Sequence, residues 1–169
     1  MIIACCDSRV DPATVFDTQP GQAFVLRNVA NLVPPYEADG GFHGASAAIE
    51  FGVLGLGVKH VVVMGHGQCG GIKAALADPD ANGVQSFVER WMTILDEPRE
   101  RVLKNSAIMD KQKGLELEAV RQSLANLRTF PFVAEREAAG KLSLHGCHFS
   151  IFKGQLFLLD EAEDEFRPA

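Results

Sequence analysis

The sequence predicts an α/β fold in which helices flank a central, mainly parallel β-sheet with an antiparallel C-terminal edge hairpin. Short, continuous apolar runs are typical of strands that are covered on both faces of a parallel sheet. Between these runs, apolar residues recur every three or four positions, as they do on one face of a helix. Alternation of strand and helix patterns favours a parallel sheet with helices packed on it.

Three apolar runs, at residues 2–4, 23–26 and 61–64, predict the first strands. Turn residues bound them, because Pro20 and Gly21 precede the second run and Gly65 closes the third. Near the C-terminus, residues 142–152 and 155–159 are separated by Lys153 and Gly154. This spacing predicts the edge hairpin.

Three amphipathic helices are predicted from apolar residues at helical spacing. Their apolar faces are formed, in chain order, by Ala45, Ala48, Ile49, Val53 and Leu56; by Phe87, Val88, Trp91, Met92 and Leu95; and by Leu117, Val120, Leu124 and Leu127. Pro131 follows the last of these faces and is expected to lie beyond the end of its helix. Residues 78–83 are polar and predict a surface loop.

Length and composition predict one globular domain over residues 1–169. Hydrophobic residues make up 47% of the 169 residues, enough for a sizeable core without disulfide support. The formal net charge is −6 and no basic cluster offsets it, which argues against nucleic acid or an anionic membrane as the main partner. No apolar run reaches the roughly 18 residues of a membrane-spanning helix.

The four cysteines, Cys5, Cys6, Cys69 and Cys147, are expected to be reduced. A chain of this size and apolar content does not need a disulfide framework, so thiols that serve a metal or a reaction are the better interpretation. We expect no signal peptide, because Met1 is followed at once by an apolar run. The expected location is therefore the cytoplasm.

Two cysteines and one histidine follow predicted strands in a way that indicates catalytic zinc. Cys5 ends the first apolar run, and alternation along an extended chain places Asp7 and Arg9 on the same side as Cys5. His66 and Cys69 follow the third run, in a glycine-rich turn that enters a helix. The carboxyl ends of parallel strands are where ligands bind. Two thiolates and one imidazole leave a fourth position open, as catalytic zinc requires.

Other interpretations of these residues are weaker. Either segment alone would be poor support for a metal, since a single Cys5 is more often a buried core thiol. A dithiol redox site would use Cys5 and Cys6, but adjacent cysteines rarely form a relaxed disulfide and no Cys-x-x-Cys is present. A phosphatase-type loop needs a longer spacing between the cysteine and Arg9 than this sequence has.

At these residues the chain resembles the beta class of carbonic anhydrases. The resemblance extends from about residue 3 to residue 159. Its specific parts are Cys5-x-Asp7-Ser8-Arg9, residues 24–31, residues 47–50, and Gly65-His66-x-x-Cys69-Gly70-Gly71. It implies one zinc ion per chain held by Cys5, His66 and Cys69, an Asp7–Arg9 pair beside the metal, and a homodimer or tetramer.

The plant-like subclass is the most similar. There, apolar residues at the positions of Phe24 and Phe42 line the carbon dioxide pocket. Val29 is expected to line it as well, and the Gly70 amide to help position bicarbonate. The other subclass has a regulatory bicarbonate site, which uses a Trp, an Arg and a Tyr. Arg27 matches the Arg, but Ile2 and Phe149 stand at the other two positions, so we predict that this site is absent.

Family members usually carry a few dozen residues before the first motif, which form helices that wrap the partner subunit. Here Cys5 is the fifth residue, so we expect this N-terminal arm, and a pocket glutamine within it, to be lacking.

The predicted function is zinc-dependent, reversible hydration of carbon dioxide to bicarbonate and a proton. Asp7 is expected to orient the attacking oxygen, and Arg9 to keep Asp7 ionised and away from the metal. His43 and His60 are candidate proton carriers. Two alternatives stay open: a related zinc hydrolase that acts on carbonyl sulfide or carbon disulfide, and a non-catalytic zinc-bound scaffold protein.

Overall fold

The computed structural model describes residues 1–39, 41–77 and 86–169. The loop predicted at residues 78–83 lies outside these residues. The described residues form one six-stranded sheet with α-helices on both faces. The strands are β1 (Ile2–Cys5), β2 (Val25–Asn28), β3 (His60–His66), β4 (Ser143–Ser150), β5 (Gln155–Asp160) and β6 (Glu165–Pro168).

The sheet is parallel in its first part and antiparallel at its C-terminal edge. Its strand order is β2-β1-β3-β4-β5-β6. The pairs β1–β2, β1–β3 and β3–β4 are parallel, whereas β4–β5 and β5–β6 are antiparallel. The predicted fold class and the predicted hairpin are therefore confirmed. The sequence did not indicate β6, which adds a short strand outside the hairpin.

Seven α-helices connect and cover these strands in the described part of the chain. They are α1 (Pro12–Phe16), α2 (Gly44–Glu50), α3 (Gly70–Leu76), α4 (Phe87–Met92), α5 (Asp96–Lys104), α6 (Lys111–Leu127) and α7 (Pro131–Ala138). Among the described residues, no helix combines the length and the apolar content that crossing a bilayer requires.

Two helices that the sequence did not predict begin at prolines. Proline fits the first position of a helix, where its missing N–H would have no partner anyway. Pro12 begins α1, and the preceding Asp11 caps that helix by accepting a hydrogen bond from the Thr14 amide at 3.1 Å. Pro131, interpreted from the sequence only as following a helix, begins α7 instead. The second predicted strand also begins two residues late, at Val25.

The core consists of two clusters on opposite faces of the sheet. Because side chains alternate along a strand, Ala4 and Met64 belong to the first cluster, while Ile3 and Val63 belong to the second. Helices α3 to α6 contribute to the first cluster, which also contains Cys5 and Cys69. The second is formed with α2, α6 and α7.

Helix α6 lies unusually close to β3 and β4, because glycines face it. A Cβ atom on Gly65 would lie 2.7 Å from Val120 Cγ2. A Cβ atom on Gly146 would lie 2.9 Å from Val120 Cγ1 and 3.0 Å from Leu124 Cδ1. These contacts are too short for real carbon atoms, so the approach of the helix depends on glycine at both positions. The close approach brings the N-terminal half of α6 next to the end of β3.

Substituting Gly146 with alanine should therefore destabilise the protein by about 1–3 kcal/mol, since an added methyl group in a packed core forces neighbouring groups to move. Urea unfolding followed by circular dichroism measures the free energy of unfolding. Gly44→Ala is a matched control, because a Cβ atom there would meet nothing within 4 Å. Equal free energies of unfolding for the two variants would contradict the proposed close packing.

Candidate metal centre

Parallel pairing of β1 with β3 places two potential metal ligands side by side at the C-terminal ends of these strands. β1 ends at Cys5 and β3 ends at His66, and the pair runs with Ala4 opposite Met64. The third residue, Cys69, immediately precedes α3 as its N-cap. One ligand atom from each of these three side chains lies within 4.8 Å of the other two, and all three residues are buried.

The distance between the two sulfurs fits a shared metal ion. Cys5 Sγ and Cys69 Sγ are 3.9 Å apart, far beyond the roughly 2.05 Å of a disulfide. Two bonds of about 2.3 Å at a tetrahedral zinc ion would hold the sulfurs about 3.8 Å apart. All four cysteines, including Cys6 and Cys147, are free thiols. The sulfur pair is therefore placed as two ligands of one tetrahedral ion would be.

One nitrogen of the His66 imidazole is hydrogen-bonded, and the other is available to bind a metal ion. Its Nδ1 lies 2.9 Å from the Gly67 carbonyl oxygen, which can only accept, so Nδ1 carries the proton and donates. Its Nε2 is buried and has no hydrogen-bond partner among the described residues. A buried, unpartnered lone pair is costly in a metal-free protein, and a metal ion would satisfy it. Imidazole nitrogen and thiolate sulfur are the donors that zinc prefers.

The three groups already favour negative sulfur without a metal. The hydrogen bond from Cys69 lowers the pKa of Cys5 to about 4, despite the opposing effect of burial. The pKa of Cys69 is raised, because its proton is held by Cys5 and because the thiol is buried. For His66, burial lowers the pKa, but Cys5, the Gly67 carbonyl and the charge of Asp7 together raise it above its usual value. The sulfur pair therefore favours one shared negative charge, which suits the binding of a cation.

Asp7 and Arg9 form a bidentate ion pair beside these ligands. Arg9 Nε donates to Asp7 Oδ1 at 2.9 Å and Arg9 Nη2 donates to Asp7 Oδ2 at 2.7 Å. The Arg9 backbone N–H adds a second bond to Oδ1, at 2.9 Å. The Arg9 hydrogen bonds hold the pKa of Asp7 well below its usual range. Arg9 Nη2 also donates to the Gln68 carbonyl oxygen at 3.1 Å, which ties the two loops together.

This pairing keeps Asp7 out of the set of metal ligands. Its oxygens are turned to Arg9, and Asp7 does not belong to the donor group of Cys5, His66 and Cys69. Three protein donors are typical of catalytic zinc, whereas structural zinc has four. The arrangement can therefore hold a metal ion and leave a coordination position for a small molecule.

Arg27, which the sequence analysis considered only for a regulatory site, supports the same loop. Its Nε donates to the Cys5 carbonyl oxygen at 2.9 Å, and its Nη2 donates to the Asp7 carbonyl oxygen at 2.7 Å. Its Nη1 lies 3.3 Å from Asp11 Oδ1. The guanidinium is therefore committed to holding the chain around Cys5 and Asp7. That the regulatory bicarbonate site is absent stays a prediction.

Of the four predicted pocket residues, Val29 and Gly70 lie near the metal ligands. Val29 packs against the first core cluster, which contains Cys5 and Cys69. A Cβ atom on the neighbouring Gly71 would lie 2.7 Å from Val29 Cγ1, so glycine is required there. At Gly70 a Cβ atom would meet nothing within 4 Å, so the space beside this backbone is open.

Phe24 and Phe42 are not brought to the metal ligands within one chain. Phe24 packs against the second core cluster, and its ring centroid lies 5.8 Å from that of Phe51. Phe42 is fully exposed. Their predicted role in a substrate pocket stays a prediction, and it requires a second chain to cover them.

His43, His60 and His145 lie outside the centre. His60 begins β3, and the rise of a strand puts it about 20 Å from His66 at the other end, too far for direct proton transfer. Its Nδ1 lies 3.1 Å from His145 Nε2. His43 pairs with Asp39 in an exposed segment, and Glu37 completes a small cluster there.

Sequence reasoning missed the buried Glu116, which accepts a hydrogen bond from the Cys69 backbone N–H at 3.1 Å. The spacing of apolar residues contained a signal for it. Glu116 lies four residues before Val120 and eight before Leu124, on the buried face of α6. The face was assigned from Leu117, one residue later, and Leu117 is only partly buried. A carboxylate in phase with a buried helix face is expected to have a buried polar partner.

Comparisons with known proteins show the family of this chain. The family model for carbonic anhydrase matches residues 1–156. Beta carbonic anhydrase 3 of Arabidopsis thaliana is 38% identical over 174 aligned residues, which cover 100% of this chain and 67% of the plant protein.

Solved structures share both the sequence similarity and the fold. The beta-carbonic anhydrase CcaA superposes with a TM-score of 0.92 at 32% identity, over 99% of this chain and 82% of CcaA. A beta-carbonic anhydrase of the ascomycete Sordaria macrospora, one of two described as tetrameric, has a TM-score of 0.79 at 30% identity, over 94% of this chain and 79% of its own. With the donor group in place and a match along nearly the whole chain, this protein belongs to the beta-carbonic anhydrase family.

Proposed function

We propose that this chain catalyses the reversible hydration of carbon dioxide to bicarbonate and a proton, with one zinc ion per chain. The observation that carries the proposal is the buried donor group of Cys5, His66 and Cys69, with the Asp7–Arg9 pair beside it. Family membership supports the same activity. Stopped-flow measurement of carbon dioxide hydration, alongside the zinc content of the same preparation, tests it.

Cys5, Cys69 and His66 would hold the zinc ion, with the fourth position left to solvent or substrate. Zinc in such a site supplies a Lewis acid and lowers the pKa of a water molecule that it binds. On binding the ion, Cys69 would release its proton, so that the chain supplies two thiolates, which match the charge of the ion. It also supplies an imidazole whose Nδ1–H is fixed by the Gly67 carbonyl. The protein thereby sets the number of ligands and their orientation.

Asp7 would orient the attacking oxygen through one particular atom. A carboxylate oxygen accepts about two hydrogen bonds. Asp7 Oδ1 already accepts two, from the Nε and the backbone N–H of Arg9. Asp7 Oδ2 accepts only one, from Arg9 Nη2, and keeps a free acceptor position. We therefore assign Oδ2 as the atom that accepts a hydrogen bond from the nucleophile and fixes the direction of its attack. The lowered pKa keeps Asp7 an acceptor throughout the neutral range.

The substrate would lie between Val29 and the open space beside Gly70. Carbon dioxide is uncharged and apolar, so an apolar wall such as Val29 suits it. The space where a Gly70 Cβ would lie is open, and the Gly70 N–H is proposed to position bicarbonate. Phe24 and Phe42 are proposed to complete this pocket only in an assembly. The plant-like subclass is the proposed assignment within the family.

The assembly is proposed to be a homodimer, or a tetramer built from dimers, that uses the face around β2 and the end of α2. Strand β2 is an edge of the sheet, with a row of backbone groups available for pairing. Beside it, the residues that follow α2 expose large apolar side chains: Phe51, Leu54 and Leu56. Phe42 lies on the segment just before α2 and is also exposed. Several exposed large apolar side chains close together in the chain, beside a free sheet edge, favour a protein interface on this face.

The two alternative functions are less well supported. Hydrolysis of carbonyl sulfide or carbon disulfide would use the same ligands, and assays with all three substrates separate these activities. A non-catalytic scaffold would have no need of the Asp7–Arg9 pair beside the metal ligands.

Residues 1–169 are proposed to be a single domain, because one sheet includes strands from Ile2 to Pro168. The cytoplasm is the proposed location, in keeping with four free cysteines.

Replacing Cys69 with serine should remove a zinc ligand and lower zinc affinity by more than about 100-fold, the upper end of the cost of losing a supporting residue. Zinc content after dialysis against a chelator measures this. Cys6→Ser is the matched control, because Cys6 is exposed and free. Full zinc occupancy in Cys69→Ser would remove Cys69 from the metal site.

Replacing Asp7 with asparagine should lower kcat/KM for carbon dioxide hydration by about 100-fold or more, since an amide can turn its NH₂ toward the nucleophile and lose the acceptor. Zinc content should not change. Asp17→Asn is the control, because Asp17 is exposed and ends α1 at a positive φ that asparagine tolerates well. Unchanged turnover in Asp7→Asn would exclude Asp7 from the reaction.

Replacing Leu54 with aspartate should convert the assembly to monomers, because it places a charge in the proposed apolar interface. Size-exclusion chromatography with light scattering measures the mass. Leu103→Asp is the matched control, since Leu103 is similarly exposed but lies on α5. A Leu54→Asp protein that keeps the wild-type mass would place the interface elsewhere.

A further inference from the structure

Glu116 is a buried carboxylate for which the proposed reaction has no direct use. It lies near the start of α6 and is only 3% exposed. Burying an ionised carboxylate is costly unless hydrogen-bond donors surround it. The described residues supply three such donors, from three different parts of the fold. A buried carboxylate whose hydrogen-bonding capacity is met in this way makes its surroundings rigid and well defined.

Each oxygen of Glu116 has a defined partner. Oε1 accepts the backbone N–H of Cys69 at 3.1 Å. It also accepts the Gln112 side-chain amide, from one turn earlier in α6, at 3.3 Å. Oε2 lies 3.2 Å from Nε2 of His148 on β4, which is itself 4% exposed. Gln112 and His148 therefore hold the carboxylate in one orientation, with Oε1 directed at Cys69.

The Cys69 backbone depends on this contact. Cys69 is the N-cap of α3, and its carbonyl already accepts the Lys73 N–H at 3.0 Å. In many helices, a Glu three residues after the N-cap accepts the N-cap N–H. Here that position is Ile72, which cannot do so, and Glu116 from another helix takes the place. Without Glu116, the Cys69 N–H would be a buried donor with no partner among residues 1–39, 41–77 and 86–169.

The loop before Cys69 needs such an anchor. Gln68 has a φ of +56°, in the left-handed region that non-glycine residues rarely occupy. A strained residue persists only where its surroundings hold it in place. Arg9 holds the Gln68 carbonyl on one side, and Glu116 holds the following N–H, that of Cys69, on the other.

We propose that Glu116 is a positioning residue for the metal centre: by accepting the Cys69 N–H, it fixes the Cys69 sulfur relative to Cys5 and His66. Gln112 and His148 act one step further out, because they orient the carboxylate. This inference rests on the proposed role of Cys69 as a zinc ligand. Its readouts are zinc affinity and the spectrum of a bound metal, so it can fail while the proposed hydratase activity holds, and the reverse.

The surroundings of Glu116 make its removal testable in a folded protein. A cavity of about 630 Å³ is lined by Glu116 and His148, together with Gly67 and Gln68 of the metal-ligand loop. Water in this cavity can reach the space that a shorter or apolar side chain would leave. The Cys69 N–H would then bond to mobile water instead of a fixed carboxylate.

The experiment compares Glu116→Leu with Glu116→Gln. Leucine removes the acceptor, whereas glutamine keeps a carbonyl oxygen that can accept the Cys69 N–H. We expect Glu116→Leu to weaken zinc binding about 10- to 100-fold, measured by competition with a chromophoric chelator. The visible absorption bands of the Co²⁺-substituted protein should shift, because they report ligand geometry. Glu116→Gln should retain most of the zinc affinity and the wild-type Co²⁺ spectrum.

Glu118→Leu is the matched control, because Glu118 lies on the same helix but pairs with Arg101 and Arg121 at the surface. It should bind zinc as the wild type does. A folded Glu116→Leu protein with wild-type zinc affinity and Co²⁺ spectrum overturns the proposal.

If circular dichroism shows that Glu116→Leu does not fold, the same measurements on His148→Phe test the proposal. It leaves the acceptor of the Cys69 N–H in place but frees the carboxylate to move. A smaller loss of zinc affinity with a Co²⁺ shift supports the proposal, and unchanged values refute it.

Discussion

The parallel pairing of β1 with β3 is the constraint on which the rest of this structure depends. Because both strands run in the same direction, their C-terminal residues, Cys5 and His66, lie at the same end of the sheet. Cys69 then needs only the short turn at residues 67–68 to come within reach of both. A change in the register of this pair would move one ligand to the other face and separate the donors.

The proximity of Cys5, His66 and Cys69 could be predicted from the sequence, because each lies at the end of an element that periodicity reveals. Cys5 and His66 end apolar strands, and Cys69 precedes a helix. Glu116 and Arg27 were not predicted in their observed roles, since both act on backbone groups. A contact between a side chain and a distant N–H or carbonyl leaves no motif. It can be inferred only from burial, as the phase of Glu116 on α6 indicates.

The aromatic pocket shows a different limit of sequence reasoning. Phe24 and Phe42 match the expected residue types, but the chain alone leaves Phe42 fully exposed. The proposed role of Phe42 in a neighbouring subunit would depend on the symmetry of an assembly, which a single sequence does not encode in any local pattern. The unpredicted helix α7 has a simpler cause. Pro131 is compatible with both the end of one helix and the start of the next.

Each metal ligand is held by a group other than the metal. Arg27 holds the Cys5 carbonyl, the Gly67 carbonyl orients His66, and Glu116 holds the Cys69 N–H. The surrounding core, with Ala4, Met64 and the glycine-dependent contact of α6, is built from apolar side chains. Small zinc domains fold only when the metal binds, because they have little else to hold the ligands. Here an apolar core on each face of the sheet and three hydrogen bonds to backbone groups hold the donor atoms together, so their placement depends on the packing of the whole domain.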